Sequence, residues 1–279
     1  MAVYLVSGGN RGIGYDTVRL LSERDPHGTV LLGCRCLEAG AEAIAHMRVE
    51  NPAHGYTNID TVILDVTNAA SILEAVATVK AKYGRLNVLI NNAGILGCPD
   101  DGGPEMCFRV NVFGVHNMTE AFSSIMVPGE AKIIVVSTEM AAWTVHEFPN
   151  NLQAEFLHAE DMSVDRVKQL CDDWLHFAHG QSSTFDWPSP DTTYGPYVIS
   201  NALTIAMMRR WAVDHCKDFH TAIVCPGNCS TDMTHFHGCR TSTQGAESVL
   251  FPVFEPTENG GFYYDGMPLS FCAPRPAHH

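Results

Sequence analysis

Short apolar runs recur along the chain, separated by longer stretches in which apolar positions return every three or four residues. AVYLVS (Ala2–Ser7), GTVLLGC (Gly28–Cys34), IDTVILD (Ile59–Asp65), LNVLIN (Leu86–Asn91), AKIIVVS (Ala131–Ser137) and FHTAIVC (Phe219–Cys225) predict strands. They are nearly all apolar rather than alternating, the pattern of strands covered on both faces. The stretch SILEAVATVKAKYG predicts a helix with Ile72, Leu73, Val76, Val79 and Tyr83 on one face and Gly84 just past its end, where glycine commonly ends helices. Strand and helix in repeated alternation imply an α/β fold, a doubly wound parallel sheet of about seven strands with helices on both faces.

One segment breaks the rhythm. From Trp143 to Thr193, before the next core helix, the chain carries an additional amphipathic helix. Ser163 is its predicted N-cap, Val164, Val167, Cys171, Trp174, Leu175 and Ala178 its apolar face, and Gly180 its stop. There is no linker, repeat or low-complexity tract, so residues 1–279 read as one domain with a helical insertion at 143–193.

A length of 279 residues with 46% hydrophobic and 17% charged side chains is that of a folded globular chain. The formal net charge of −14, with no stripe of Lys or Arg to offset it, argues against nucleic acid as a partner. No apolar run approaches the length of a membrane helix, and the first residues do not resemble a signal peptide. The ten cysteines are then expected as reduced thiols, and the compartment as cytoplasmic.

The chemistry begins at SGGNRGIG (Ser7–Gly14), between the first predicted strand and helix. Gly8, Gly12 and Gly14 allow a tight turn and close approach of backbone to a pyrophosphate, which the helix N-terminus faces with unpaired N–H groups. Further motifs follow in order: DV (Asp65–Val66), NNAG (Asn91–Gly94), RVNVFGV with Asn111, VVSTEMAA with Ser137 and Thr138, YVISNALT from Tyr197, and CPGNCSTDM after the sixth strand. The series, spanning Ser7 to Met233, resembles the short-chain dehydrogenase/reductase family, closest in layout to its monomeric carbonyl reductases.

The resemblance implies a Rossmann-type fold, a nicotinamide cofactor and a set of site residues. Ser7, Gly8, Asn10, Arg11, Gly12, Ile13 and Gly14 would line the cofactor at the glycine turn, Asp65 and Val66 the adenine, and Asn92, Ala93 and Gly94 would also contact the cofactor. Pro226, Gly227, Cys229 and Thr231 would meet the nicotinamide carboxamide. The turn after the second strand carries Arg35 and no acid, and Arg11 stands in the glycine loop. Two guanidiniums suit a 2′-phosphate, so the expected cofactor is NADP(H).

Carried over residue by residue, the family's active site falls on Asn111, Thr138, Tyr197 and the position four residues after the tyrosine. Thr138 would polarise a carbonyl and Tyr197 would give it a proton. Tyr194 is the other tyrosine in reach, but Ser200 and Ala202 fit the family pattern around Tyr197. The family has lysine at the fourth position; this chain has Asn201, and no lysine between Lys168 and Lys217. Asparagine still offers hydrogen bonds to a ribose but brings no charge to lower the phenol's pKa.

The expected function is therefore NADPH-dependent reduction of a small-molecule ketone, aldehyde or quinone by a reduction-biased enzyme. The alternatives are non-redox chemistry on the same scaffold, or a non-catalytic NADPH-binding protein. The inserted helix implies a monomer, with a dimer as the alternative. Cys229, His235, His237 and Cys239 lack the spacing of a usual metal framework, and no metal is expected.

Overall fold

The computed structural model describes residues 1–158, 161–188 and 195–276. Eight strands form one sheet: β1 (Val3–Ser7), β2 (Thr29–Cys34), β3 (Ile59–Ile63), β4 (Val88–Asn91), β5 (Ala131–Val136), β6 (Phe219–Cys225), β7 (Gly261–Tyr264) and β8 (Met267–Pro268). Their order is β3-β2-β1-β4-β5-β6-β7-β8, parallel throughout except for the antiparallel β7–β8 pair. The two-residue β8 is the strand beyond the seven expected. The order reverses between β1 and β4, and in doubly wound sheets ligands bind beyond the carboxyl ends of the strands at such a point.

Both faces are covered, which explains the unbroken apolar strands. On β1, Val3 and Leu5 point into one core and Tyr4 and Val6 into the other. One face carries α1 (Gly12–Arg24), α2 (Leu37–Glu50) and α10 (Ser242–Phe254). The other carries α3 (Ala69–Tyr83), α5 (Val115–Ser123) and α9 (Gly195–Asp214), with α4 (Gly103–Phe108) and α6 (Glu139–Glu147) beside them. Burial is less complete at the sheet edge: in β3, the outermost strand among the described residues, Ile63 is half exposed.

Helix ends follow their side chains. Asn68 Oδ1 accepts the Ala70 and Ser71 N–H groups at the start of α3, and Gly84 ends it with φ of +79°. The predicted face of α3 needs one correction. Leu73 points to solvent, 63% exposed, and the inner positions are Ile72, Ala75 and Val79. Val76 and Tyr83 of the predicted face are partly buried against the same core.

Within the 143–193 segment, α7 (Asn150–Leu157) and α8 (Val164–Ala178) are linked by Arg166, whose guanidinium bonds both Glu155 carboxylate oxygens at 2.9 and 2.7 Å. Ser163 caps α8 by accepting the Arg166 N–H. Its inner face is Val167, Leu170, Cys171 and Trp174, with Leu170 in place of the predicted Val164. Trp174 meets Phe108 of α4 edge to face, with 5.4 Å between centroids. The chain after α8 folds back because Asp173 accepts the Thr184 and Phe185 N–H groups and the Trp187 indole. Residues 189–194, including Tyr194, lie outside the described residues.

Candidate active site

The carboxyl ends of β1 and β4 are tied by one hydroxyl. Ser7 Oγ accepts the N–H groups of Asn92 and Ala93, each at 3.0 Å, and Asn92 Nδ2 donates to Ser7 O at 2.9 Å. Gly8 turns there with φ of +66°, where other residues are strained. A Cβ on Gly14 would stand 2.2 Å from the Gly8 carbonyl oxygen, so only glycine lets α1 start this close to the loop.

Arg11 is the N-cap of α1 and gives no side-chain hydrogen bond to it, nor does the first turn hold an acid. Its N–H groups and partial positive charge thus face outward unneutralised, as an anion requires. The Arg11 guanidinium is largely exposed, 3.7 Å from Asp232. Arg35, also exposed, follows β2, which pairs with β1 through Gly33 and Ser7. Asn10, Tyr15, Ala39, Glu42, Ala43 and His46 line an open cleft of about 410 Å³ beside them. Asp65 Oδ1 accepts the Thr67 N–H and hydroxyl, and Val66 packs against Gly114. These residues fit a dinucleotide with a 2′-phosphate: glycine-bared backbone for the diphosphate, and for the extra charge the exposed Arg35 together with Arg11, which is paired at 3.7 Å with Asp232.

Asn111 lies in a π-helical turn, Arg109–Gly114. Such widened turns are frequent at functional sites. Its side chain brackets Ile95, accepting the N–H at 3.0 Å and donating to the carbonyl at 2.9 Å. It also donates to Ser200 Oγ at 3.0 Å, while Thr204 Oγ1 donates to the Asn111 carbonyl at 2.7 Å.

Thr138 caps α6 at the end of β5, accepting the Met140 N–H at 3.3 Å, and its hydroxyl lies beside the Tyr197 phenol. Tyr197 stands in the first turn of α9. Burial raises the phenol well above its ordinary value, and the neighbouring Cys225, Cys107 and Cys229 raise it further; the Thr138 hydroxyl works the other way. Those thiols are themselves held neutral by burial, with Cys107 and Cys225 pushed up to about 12 and Cys229 to about 11.

Asn201 is 5% exposed and turned inward: Oδ1 accepts the Ser137 hydroxyl and Nδ2 donates to the Tyr197 carbonyl, both at 2.9 Å. Ser137 and Ser200, named above only as parts of motifs, and Cys107 and Thr204, not singled out by the sequence, thus join a network. The spacing carries a signal for part of it: Cys107 and Asn111, like Ser200 and Thr204, are four apart and share a helix face.

After β6, Cys229 Sγ donates to the Pro226 carbonyl at 3.3 Å, and Thr231 shares a capping box with Thr234. Thr231 lies against Gly12, which closes this loop over the glycine turn. Arg240 anchors the loop's far end by bonding both Asp265 carboxylate oxygens. Among the described residues no group of three or more His, Cys, Asp or Glu is placed to hold a metal ion. No described helix is long and apolar enough to cross a membrane.

Residues 2–150 match the family model described as short chain dehydrogenase. The chain belongs to the short-chain dehydrogenase/reductase family. (+)-Neomenthol dehydrogenase of Capsicum annuum is 29% identical over 307 residues, covering 93% of this chain and 94% of that protein. Carbonyl reductase (NADPH) 3 of Rattus norvegicus is 28% identical over 266 residues, covering 92% of each. The solved structure of salutaridine reductase from Papaver somniferum matches with a TM-score of 0.81 at 25% identity, over 95% of this chain and 100% of that one. The chain is thus an oxidoreductase of the short-chain type, similar along nearly its whole length to reductases and dehydrogenases.

Proposed function

We propose that this protein reduces a small-molecule ketone, aldehyde or quinone with NADPH. The observation that carries the reading is the pairing of the Thr138 and Tyr197 hydroxyls beside the glycine loop, at the carboxyl edge of the sheet. Ser7, Gly8, Asn10, Arg11, Gly12, Ile13 and Gly14 would hold the diphosphate, with Arg11 and Arg35 on the 2′-phosphate. Asp65, Val66, Asn92, Ala93 and Gly94 would line the adenosine side, and Pro226, Gly227, Cys229 and Thr231 the nicotinamide. Bound NADPH supplies the hydride.

The chain's own part is the proton. Tyr197 donates its phenolic hydrogen to the carbonyl oxygen, and Thr138 donates a hydrogen bond to the same oxygen, stabilising the charge that develops there. Asn111 fixes Ile95 and Ser200 around them. A phenol held protonated by burial suits a proton donor, so the direction favoured is reduction. Because α8 lies against α4 and α9, we read the chain as a monomer; sedimentation would find a dimer if that is wrong.

NADPH consumption over a panel of ketones, aldehydes and quinones tests the reading, with Tyr197→Phe alongside. The expected loss in the variant is about 10²–10⁴-fold with NADPH still bound. Non-redox chemistry at the same site has one observation in its favour, the uncharged Asn201. It would show as substrate conversion without NADPH consumption.

A further inference from the structure

The position four residues after Tyr197 does a different job from the one the resemblance implies. We propose that Asn201 is a positioning residue that closes a ring with Ser137, Thr138 and Tyr197 and thereby sets the two reacting hydroxyls against each other. The inference rests on the reading of Thr138 and Tyr197 as the groups that meet the carbonyl.

The ring can be followed atom by atom. The Tyr197 phenol meets the Thr138 hydroxyl. Thr138 is bonded to Ser137, whose hydroxyl donates to Asn201 Oδ1 at 2.9 Å. Asn201 Nδ2 then returns to the Tyr197 carbonyl at 2.9 Å. Ser137 is itself pinned to the sheet, since its N–H donates to the Val224 carbonyl at 2.8 Å. Ser137, Thr138 and Asn201 are buried and Tyr197 partly so, and water competes little for the bonds of the buried groups.

Tyr197 needs such a tie because of where it stands. It is the third residue of α9, and the ends of helices fray. Its carbonyl takes a second side-chain donor, Ser200 Oγ, at 2.9 Å. Two side chains therefore hold one carbonyl, and one of them anchors the helix start to β5. The same geometry argues against an outward role for Asn201. Its carbonyl oxygen is taken by Ser137, one amide hydrogen is taken by Tyr197, and the short side chain is 5% exposed.

The test compares wild type, Asn201→Ala, Ser137→Ala and the double variant. NADPH affinity is read by fluorescence titration, and kcat and KM with phenanthrenequinone as the probe. A ring predicts NADPH Kd within about threefold of wild type in every variant, because no cofactor contact is removed. It predicts that kcat falls about 10–100-fold in each single variant, the cost of a misplaced reacting group. The double variant is then no worse than the poorer single, since either change opens the same ring. A Kd raised tenfold or more in Asn201→Ala but unmoved in Ser137→Ala overturns the inference and returns Asn201 to the ribose. Losses that multiply in the double variant overturn it too.

If Asn201→Ala fails to fold, Ser137→Ala decides alone: an unchanged kcat overturns the ring. If wild type turns over no carbonyl, the reductase reading fails and a spectroscopic arm remains. The carbon-labelled ring signal of Tyr197, assigned by its loss in Tyr197→Phe, should shift in the same direction in Asn201→Ala and Ser137→Ala. A signal unmoved by either change refutes the ring independently of turnover.

Discussion

With Tyr197 as the proposed proton donor, its raised phenol gives the two directions of the reaction different pH dependence. The perturbation is pH itself, and the relevant groups around the phenol are Thr138, Cys107, Cys225 and Cys229, none of them charged near neutrality. An ordinary phenol has a pKa of about 10, so at pH 7 roughly one molecule in 10³ is ionised. Burial moves Tyr197 further up, and Asn201 brings no positive charge to oppose it. Reduction needs the protonated form, which is the whole population at every pH below about 9. Oxidation needs the phenolate, whose fraction grows about tenfold per pH unit and stays below about one in 10³ at neutrality. Initial rates of carbonyl reduction, followed by NADPH absorbance, should therefore be flat from about pH 6 to about pH 9. Rates of oxidation of the product alcohol with NADP should climb with a slope near one on a logarithmic scale and reach no plateau in that range. A reduction rate that declines with an apparent pKa of about 7–8, or an oxidation plateau by about pH 8, would refute the reasoning. Either would mean that a charge supplied in the complex pulls the phenol down.

Three further outcomes follow from the geometry. Gly14→Ala places a Cβ 2.2 Å from the Gly8 oxygen and 2.5 Å from Asn92 Nδ2. It should cost about 1–3 kcal/mol in urea unfolding and sharply weaken NADPH binding. Asn68→Ala removes the acceptor for two N–H groups at the start of α3, outside the group of Asn111, Thr138 and Tyr197. It should lower stability by about 0.5–2 kcal/mol with kcat unchanged. Arg35→Asp should reduce the preference for NADPH over NADH by about 10–100-fold, the worth of a charged hydrogen bond to phosphate, read as the ratio of the two Kd values.

The fold was legible because strands buried on both faces leave few polar positions, so β1, β2 and β4 to β6 stand out as largely apolar runs. Where burial is one-sided, the pattern misled. Ile63 reads as core but lies on the open edge of β3, and Leu73 reads as the inner face of α3 but points to water. An edge depends on which strand lacks a neighbour, and that is a property of topology, not of the run itself. The run Ile59–Asp65 outlasts β3, Ile59–Ile63, by two residues, and Leu64 N–H still donates to the Cys34 carbonyl at 2.8 Å.

At the site, motif order placed Tyr197, Thr138 and Asn111, and the structure brings their surroundings into one network. What sequence spacing does not reveal is where a short amide points. Asn201 could face a ligand or its own helix; the outcome depends on Ser137, 64 positions away, presenting a hydroxyl to it. The π-helical turn at Asn111 is equally hidden, since one extra residue per turn leaves no mark in a predominantly apolar stretch.

The central claim is hydride transfer to a carbonyl, and isotope transfer tests it most directly. The protein is incubated with a ketone or quinone that consumes NADPH, using cofactor deuterated at carbon four of the nicotinamide in each of the two configurations in turn. The account predicts that one of the two preparations delivers deuterium to the reduced product, seen by mass spectrometry, and that Tyr197→Phe suppresses that transfer. Conversion of substrate with no deuterium in the product from either preparation would contradict it.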